Sequence, residues 1–178
     1  VALYRDREHP VGLIVRGLVA FMRDFMDFNE MMMAFMEQPE WVEEMMDFHT
    51  DFIIRLWEKV LGEVEVDMIQ LGEDMAFKTG PMISPAQVEH FMVPRYKKIT
   101  EFARAHGVKT IIVDSDGDIR PVLPLFIEAG ITGILPCEST AGCDPVDIRR
   151  NHPRFQMIGG LAKGAIAEGG ETMEQELR

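Results

Sequence analysis

The amino-acid sequence predicts an α/β fold, with about five parallel strands in one sheet and helices covering them. Three observations carry that expectation. Short apolar runs recur along the chain without internal polar alternation, the pattern of strands buried on both faces. Stretches with a 3.6-residue apolar period separate those runs. The last three runs begin at residues 110, 133 and 156, evenly spaced at the length of a compact strand–loop–helix–loop unit. Such alternation implies parallel strands joined by right-handed crossovers.

In chain order, the first expected strand is 11–16 (VGLIVR). Residues 21–36 (FMRDFMDFNEMMMAFM) follow, rich in Met and Phe. Such adaptable side chains suit packing between helices, with a ligand-facing lid as the alternative. Residues 40–61 give the clearest helix: Trp41, Met45, Phe48, Phe52 and Leu56 recur at three- and four-residue steps, and Gly62 sits at the C-cap. The second strand is 67–71 (DMIQL). Helical residues 84–106 open on Ser84-Pro85, an N-cap followed by a first-turn proline, and close at Gly107. Pro94 predicts a break or kink within them. The third strand, 110–113 (TIIV), leads to a helix over 121–129 that ends at Gly130. The fourth, 133–135 (GIL), leads to a short helix opened by Asp144-Pro145 and closed by Arg150, and the fifth is 156–158 (QMI). No low-complexity linker interrupts this order, so residues 1–178 read as a single domain. The chain begins at Val1 and stops inside a helix-like run, 171–178, which suggests a piece of a longer protein.

Composition narrows the function. Lys and Arg number 18 against 30 Asp and Glu, giving a formal charge of -12 and no basic run, so a nucleic acid would be repelled. Hydrophobic residues make up 47% and charged residues 27%, which is a globular composition. No apolar stretch reaches the roughly 18–20 residues of a membrane span. Cys137 and Cys143 lie close together around Gly142, which fits free thiols in a reducing, cytoplasmic setting better than a disulfide framework.

In parallel α/β folds, chemistry gathers at the carboxyl ends of the strands. Arg16 ends the first strand; Gly72, Glu73 and Asp74 follow the second; Asp114 to Asp118 (DSDGD) follow the third. Cys137 and Glu138 follow the fourth, Gly159 and Gly160 the fifth. Carboxylates from three strands would meet at one mouth, where a like-charge pair at 4 Å costs roughly 4 kcal/mol at an effective dielectric near 20. Such repulsion is costly unless cations or bound partners offset it, and an arrangement so unfavourable for folding serves a site. Asp114, Asp116 and Glu138 are therefore the catalytic candidates, and Arg16, Glu73, Asp74, Lys78, Cys137 and Gly160 the substrate-binding candidates. The DSDGD run is no EF-hand, because its glycine is fourth and Leu125 stands where the loop needs glutamate. A different metal site on Asp114 and Asp116, direct ligand hydrogen bonding, and capping of a helix near Ile119 by Asp116 and Asp118 stay open. Cys137 is a nucleophile, a soft-metal ligand or an inert buried thiol. Lys78 either pairs with Glu73 and Asp74 or touches substrate. The five histidines, His9, His49, His90, His106 and His152, fall away from the strand ends.

Four blocks, 72–85 (GEDMAFKTGPMISP), 91–96 (FMVPRY), 113–118 (VDSDGD) and 158–161 (IGGL), together resemble the uroporphyrinogen decarboxylase family in order and spacing. The resemblance covers 67–178 and continues more weakly from about residue 11. It implies a (β/α)8 TIM barrel, here partial and truncated at both ends, since a full barrel takes about 250 residues. The family contains two chemistries: cofactor-free decarboxylation of uroporphyrinogen, and methyl transfer between a corrinoid and a thiol at zinc. In the zinc-using methyltransferases the block resembling 114–118 reads His-x-Cys-Gly, and its His and Cys bind zinc. Here Asp114 and Asp116 occupy those positions, and two carboxylates lack the soft sulfur that activates a thiol. The decarboxylases need an Arg-rich pocket for an octacarboxylate, whereas these strand ends are mainly acidic. The resemblance thus implies a divergent corrinoid-dependent methyltransferase-like enzyme acting on a small molecule. A corrinoid methyl donor, a corrinoid protein as partner and a divalent metal for which zinc is ill suited go with it. Uroporphyrinogen decarboxylation and a catalytically silent fragment are the alternatives. An open sheet also predicts a homo-oligomer, or pairing with a missing chain segment.

Overall fold

The computed structural model describes residues 7–178. Five strands form one sheet: β1 (Gly12–Arg16), β2 (Met68–Gly72), β5 (Thr110–Asp114), β6 (Gly133–Cys137) and β7 (Gln156–Gly159). Their order is β1-β2-β5-β6-β7, and every pairing is parallel. All five expected strands are present. β2, β5, β6 and β7 each run a residue or two further toward the carboxyl end, so Gly72, Asp114, Cys137 and Gly159 belong to strands. A two-stranded hairpin, β3 (Ala76–Phe77) with β4 (Gly80–Pro81), projects beyond β2 and has no counterpart in the apolar pattern.

Between β1 and β2 lie α1 (Leu18–Arg23), α2 (Phe28–Glu37) and α3 (Pro39–Leu61). Asp27 caps α2 by accepting from the Asn29 amide at 2.8 Å. Ser84 and Gln87 form a capping box at α4 (Pro85–Gln87). A π turn over Val88–Met92 then leads into α5 (Val93–Ala105). The break or kink expected at Pro94 takes the form of this π turn between two consecutive helices, and the path stays helical through it. The widened turn just ahead of the proline accommodates a residue that lacks an amide and crowds the preceding carbonyls. The later elements are α6 (Leu123–Glu128), α7 (Pro145–Asn151), α8 (Lys163–Glu168) and α9 (Gly170–Glu176).

Ile69, Leu71, Ile111 and Val113 are fully enclosed in one core with Met22, Met46, Ile53, Tyr96 and Phe126. Ile14 on β1 and Ile158 on β7 lie exposed on the two outer strands, as expected of a sheet that does not close on itself. Among the described residues no helix is long and apolar enough to cross a membrane.

The apolar stripe of α3 is placed differently from its sequence pattern. Trp41, Phe48, Phe52 and Leu56 are 43%, 65%, 49% and 45% exposed, while Val42, Met46, His49, Ile53 and Trp57 face the core. Both stripes have helical spacing, because α3 is apolar around much of its girth, so periodicity alone does not choose between them. The Met- and Phe-rich segment divides similarly: Met22, Met31 and Phe35 pack inside, whereas Phe25, Met33 and Met36 are exposed.

Candidate functional site

Parallel pairing puts all five carboxyl ends on one rim. Arg16 lies opposite Gly72, Gly72 opposite Asp114, and Cys137 opposite Gly159. Asp114 closes β5 half-buried, and its Oδ2 accepts from the Gln70 side-chain amide at 2.7 Å. Burial pushes the Asp114 carboxyl above its ordinary range; the Gln70 bond opposes this, and the nearby Asp116 and Asp74 charges reinforce it. The result is a carboxyl shifted toward its proton-holding form.

Lys163, the first residue of α8, reaches back to the rim. Its ammonium lies 2.6 Å from Asp116 Oδ1 and 3.4 Å from Glu138 Oε1, and these two carboxylates hold it above the usual lysine range. The other Glu138 oxygen accepts from the Gly117 amide at 2.7 Å. Gly117 has φ +84°, and a Cβ there would come within 2.5 Å of the Ala76 carbonyl oxygen, so this turn requires glycine. Asp116 and Glu138 are thereby tied to each other and to the loop after β7.

Two further ion pairs complete the rim. Arg16 forks onto Asp24 at 2.8 and 2.5 Å. Arg23 donates to the Asp74 carbonyl at 2.6 Å and to its carboxylate at 3.0 Å. The expected clustering of acids is therefore real, and Arg16, Arg23 and Lys163 offset it. The sequence reading missed Arg23, Lys163 and Gln70. Lys163 was the most accessible of them, since it follows Gly160 by three residues in the loop already marked as a strand end.

Other expected site residues are placed differently from the sequence expectation. Glu73 does not line the mouth: it is fully buried beneath the rim. Its Oε1 accepts from the Leu18 amide at 2.6 Å, and its Oε2 from those of Val19 and Ala20 at 2.9 and 3.3 Å. The Tyr96 hydroxyl also contacts Oε1. Burial outweighs these bonds and raises the Glu73 carboxyl to about 7. Lys78 sits exposed in the β3–β4 turn and pairs with neither Glu73 nor Asp74 among the described residues. The Cys137 thiol is buried and donates to the Cys143 carbonyl at 3.1 Å, and burial raises it to about 11. It is an inert thiol rather than a nucleophile, because almost none of it is thiolate near neutrality. Gly160 turns the chain away from β7 at φ +92°. Asp118 accepts from the Arg120 amide at 3.1 Å and pairs with its guanidinium at 2.8 Å, a turn-stabilising role. His49, set aside on sequence, lies under the rim. Its Nε2–H donates to the Arg16 carbonyl at 2.8 Å, and its ring stacks on Phe21 at 4.0 Å.

A resident metal does not fit these residues. Among the described residues no group of three or more His, Cys, Asp or Glu side chains is arranged to hold one. Asp114 is engaged by an amide and Asp116 by an ammonium, and both sulfurs are turned toward carbonyls. The rim can instead orient a polar ligand through the Lys163 network, beside an Asp114 carboxyl that burial makes more basic than an ordinary aspartate.

No curated protein matches the chain. Its structure is similar to that of a methyltransferase from Methanosarcina mazei, with a TM-score of 0.68 and 18% identity. That likeness covers 87% of this chain and 44% of the other, so the chain spans less than half of that protein. The family model for uroporphyrinogen decarboxylase matches residues 10–178, and with the parallel sheet and its strand-end blocks this places the chain in the uroporphyrinogen decarboxylase family.

Proposed function

We propose that the chain is the acid–base half of a methyltransferase-like enzyme that acts on a small molecule. The observation that carries this reading is Asp114. Every other carboxylate on the rim has a cationic partner, whereas Asp114 rests on the neutral Gln70 amide and is shifted toward protonation by burial. Such a group takes a proton from an acceptor nucleophile as that nucleophile gains a methyl group. Asp116, Glu138 and Lys163 orient the acceptor, and Arg16 and Asp74 border it. The methyl group would come from a methylcorrinoid substrate presented at the open rim by a partner protein, its carbon–cobalt bond breaking with the electron pair kept by the departing corrinoid while the acceptor's proton passes to Asp114. The rim's excess of carboxylates over cations disfavours an octacarboxylate such as uroporphyrinogen. Two buried free thiols support a reducing, cytoplasmic setting. The exposed apolar residues of the outer strands support self-association, which sedimentation would show as a dimer or larger and a strict monomer would refute.

The test uses the intact protein with methylcobalamin and a panel of small thiols and amines, with and without divalent metal. Methyl transfer is expected, and Asp114→Asn should slow it by roughly 100-fold or more. Background rates throughout, or rapid carboxyl loss from uroporphyrinogen, would overturn the reading.

A further inference from the structure

Glu73 is the one fully enclosed carboxylate of the described residues, and the rim chemistry does not use it. It joins three elements. Its carboxylate fastens the first turn of α1 through the Leu18, Val19 and Ala20 amides. Its own amide donates to the Asp114 carbonyl at 2.8 Å, and that of Asp74 donates to the same oxygen at 3.1 Å. Tyr96, fully buried on α5, meets it from the far side. Gly17, between Arg16 and α1, passes so close that a Cβ would overlap the Glu73 carboxyl, and the Gly17 amide donates to the Gly72 carbonyl at 2.8 Å. Everything on this side of the rim hangs from the clasp: Arg16 immediately before it, and Arg23, at the end of the six-residue α1, holding Asp74.

We propose that Glu73 is a positioning residue that locks α1 to the end of β2 and so holds Arg16, Arg23 and Asp74 beside Asp114, with the gain or loss of the Glu73 proton against Tyr96 making the lock pH-dependent. When Glu73 is neutral, its protonated oxygen faces the Tyr96 hydroxyl while the other oxygen keeps the Val19 and Ala20 amides. When it is ionised, Tyr96 donates instead, and the carboxylate bears a charge with no solvent. The charged and titratable groups around it are Arg23 from α1, Arg16 from β1, Tyr96 from α5, Asp114 from β5 and, through the Arg16 carbonyl, His49 from α3. No cation forms an ion pair with Glu73 among the described residues, so opening α1 to hydrate the carboxylate becomes easier as pH rises.

This inference rests on the rim being the site, but its test needs no activity and so fails separately from the methyl-transfer assay. Hydrogen exchange of the 178-residue chain is followed from pH 6 to 8, with each rate normalised to its intrinsic value. With the clasp titrating at about 7, protection of the Leu18, Val19 and Ala20 amides should fall about tenfold, while Ile69, Leu71, Ile111 and Val113 hold steady. In Glu73→Gln the α1 protection should be lower and flat with pH, because an amide NH2 would face the Leu18 N–H. Carbon-13 titration should then place the Asp114 carboxyl higher than in the wild type, as Arg23 releases Asp74. Tyr96→Phe removes one donor to the ionised form and keeps the fold's volume; its transition should move to higher pH, which serves if Glu73→Gln does not fold. Protection of the three amides that is independent of pH in the wild type, or an unchanged Asp114 titration in Glu73→Gln, would overturn the proposal.

Discussion

Replacing Gly117 with alanine tests how tightly the acidic loop is built. The glycine has φ +84°, and an added Cβ would lie 2.5 Å from the Ala76 carbonyl oxygen and 2.6 Å from that of Phe77. Neither oxygen can retreat freely, because the Phe77 carbonyl accepts from the Asp118 amide at 2.9 Å and its strand pairs with β4. The left-handed conformation costs a non-glycine residue roughly 1–2 kcal/mol, and overpacking typically adds about 1–3 kcal/mol. Gly117→Ala should therefore destabilise by about 2–5 kcal/mol in urea unfolding, with an unchanged slope on denaturant concentration. Gly164 is the control. It lies in α8 with no atom within 4 Å of an added Cβ and without a positive φ, so Gly164→Ala should stabilise by about 0.5–1 kcal/mol. If both substitutions fall within about 0.5 kcal/mol of wild type, the close approach of the DSDGD turn to the hairpin is wrong, and with it the fixed position of Asp116.

Arg95, nearly buried on α5, forks onto Asp47 of α3 at 2.9 and 2.7 Å and donates to the Phe91 carbonyl at 3.2 Å. Arg95→Ala should cost about 3 kcal/mol by denaturant titration, and a loss below about 1 kcal/mol would contradict the clamp. The two thiols should resist a disulfide reagent at pH 8 in the native protein and both react on unfolding; fast native labelling would contradict their burial. Because the folded-state Glu73 carboxyl is raised to about 7, the native protein binds an extra proton between the two carboxyl values. The resulting stability is fully present below the unfolded value, near 4.5, and is lost as pH rises through 7. Wild-type unfolding free energy should thus fall by about 2–3 kcal/mol from pH 5 to 8, with the slope removed in Glu73→Gln. A rise in stability over that range would refute the burial.

The sheet was legible because parallel strands buried on both faces leave unbroken apolar runs, as in TIIV before Asp114. The rim was legible in outline for the same reason: parallel order sends every strand end one way, so Arg16, Asp114, Asp116 and Glu138 share an edge. What a strand-end rule does not give is the direction of a side chain at the edge. Glu73 and Asp74 are adjacent, yet one turns inward under α1 and the other pairs outward with Arg23. Asp74 itself takes a positive φ of 45°, a bend that no apolar pattern encodes. Nor does local spacing show partners from distant loops. Lys163 meets Asp116 across 47 positions, and Gln70 meets Asp114 across 44. The α3 stripe failed for another reason: a helix apolar on most sides fits either face by period, and the choice belongs to the neighbouring elements.

The pairing pattern of the rim bears on which acid can do chemistry. A carboxylate locked to a cation is stabilised in its charged form and gives up its usefulness as a proton carrier near neutrality. Asp24, held low by Arg16, is such a group, and Asp118, held low by Arg120, is another. Asp116 and Glu138 share one ammonium, so a ligand that draws Lys163 away leaves two uncompensated charges near Asp114. Those charges, no longer offset by Lys163, would raise the Asp114 carboxyl further, since Asp116 already pushes it up and Lys163 pulls it down. Binding of an anionic group at Lys163 and proton uptake at Asp114 are therefore coupled with a fixed sign. An anion titrated into the protein in two buffers of different ionisation enthalpy should show net proton uptake, reduced in Asp114→Asn. Proton release, or uptake unaffected by that substitution, would disconnect Asp114 from the network that the geometry draws around it.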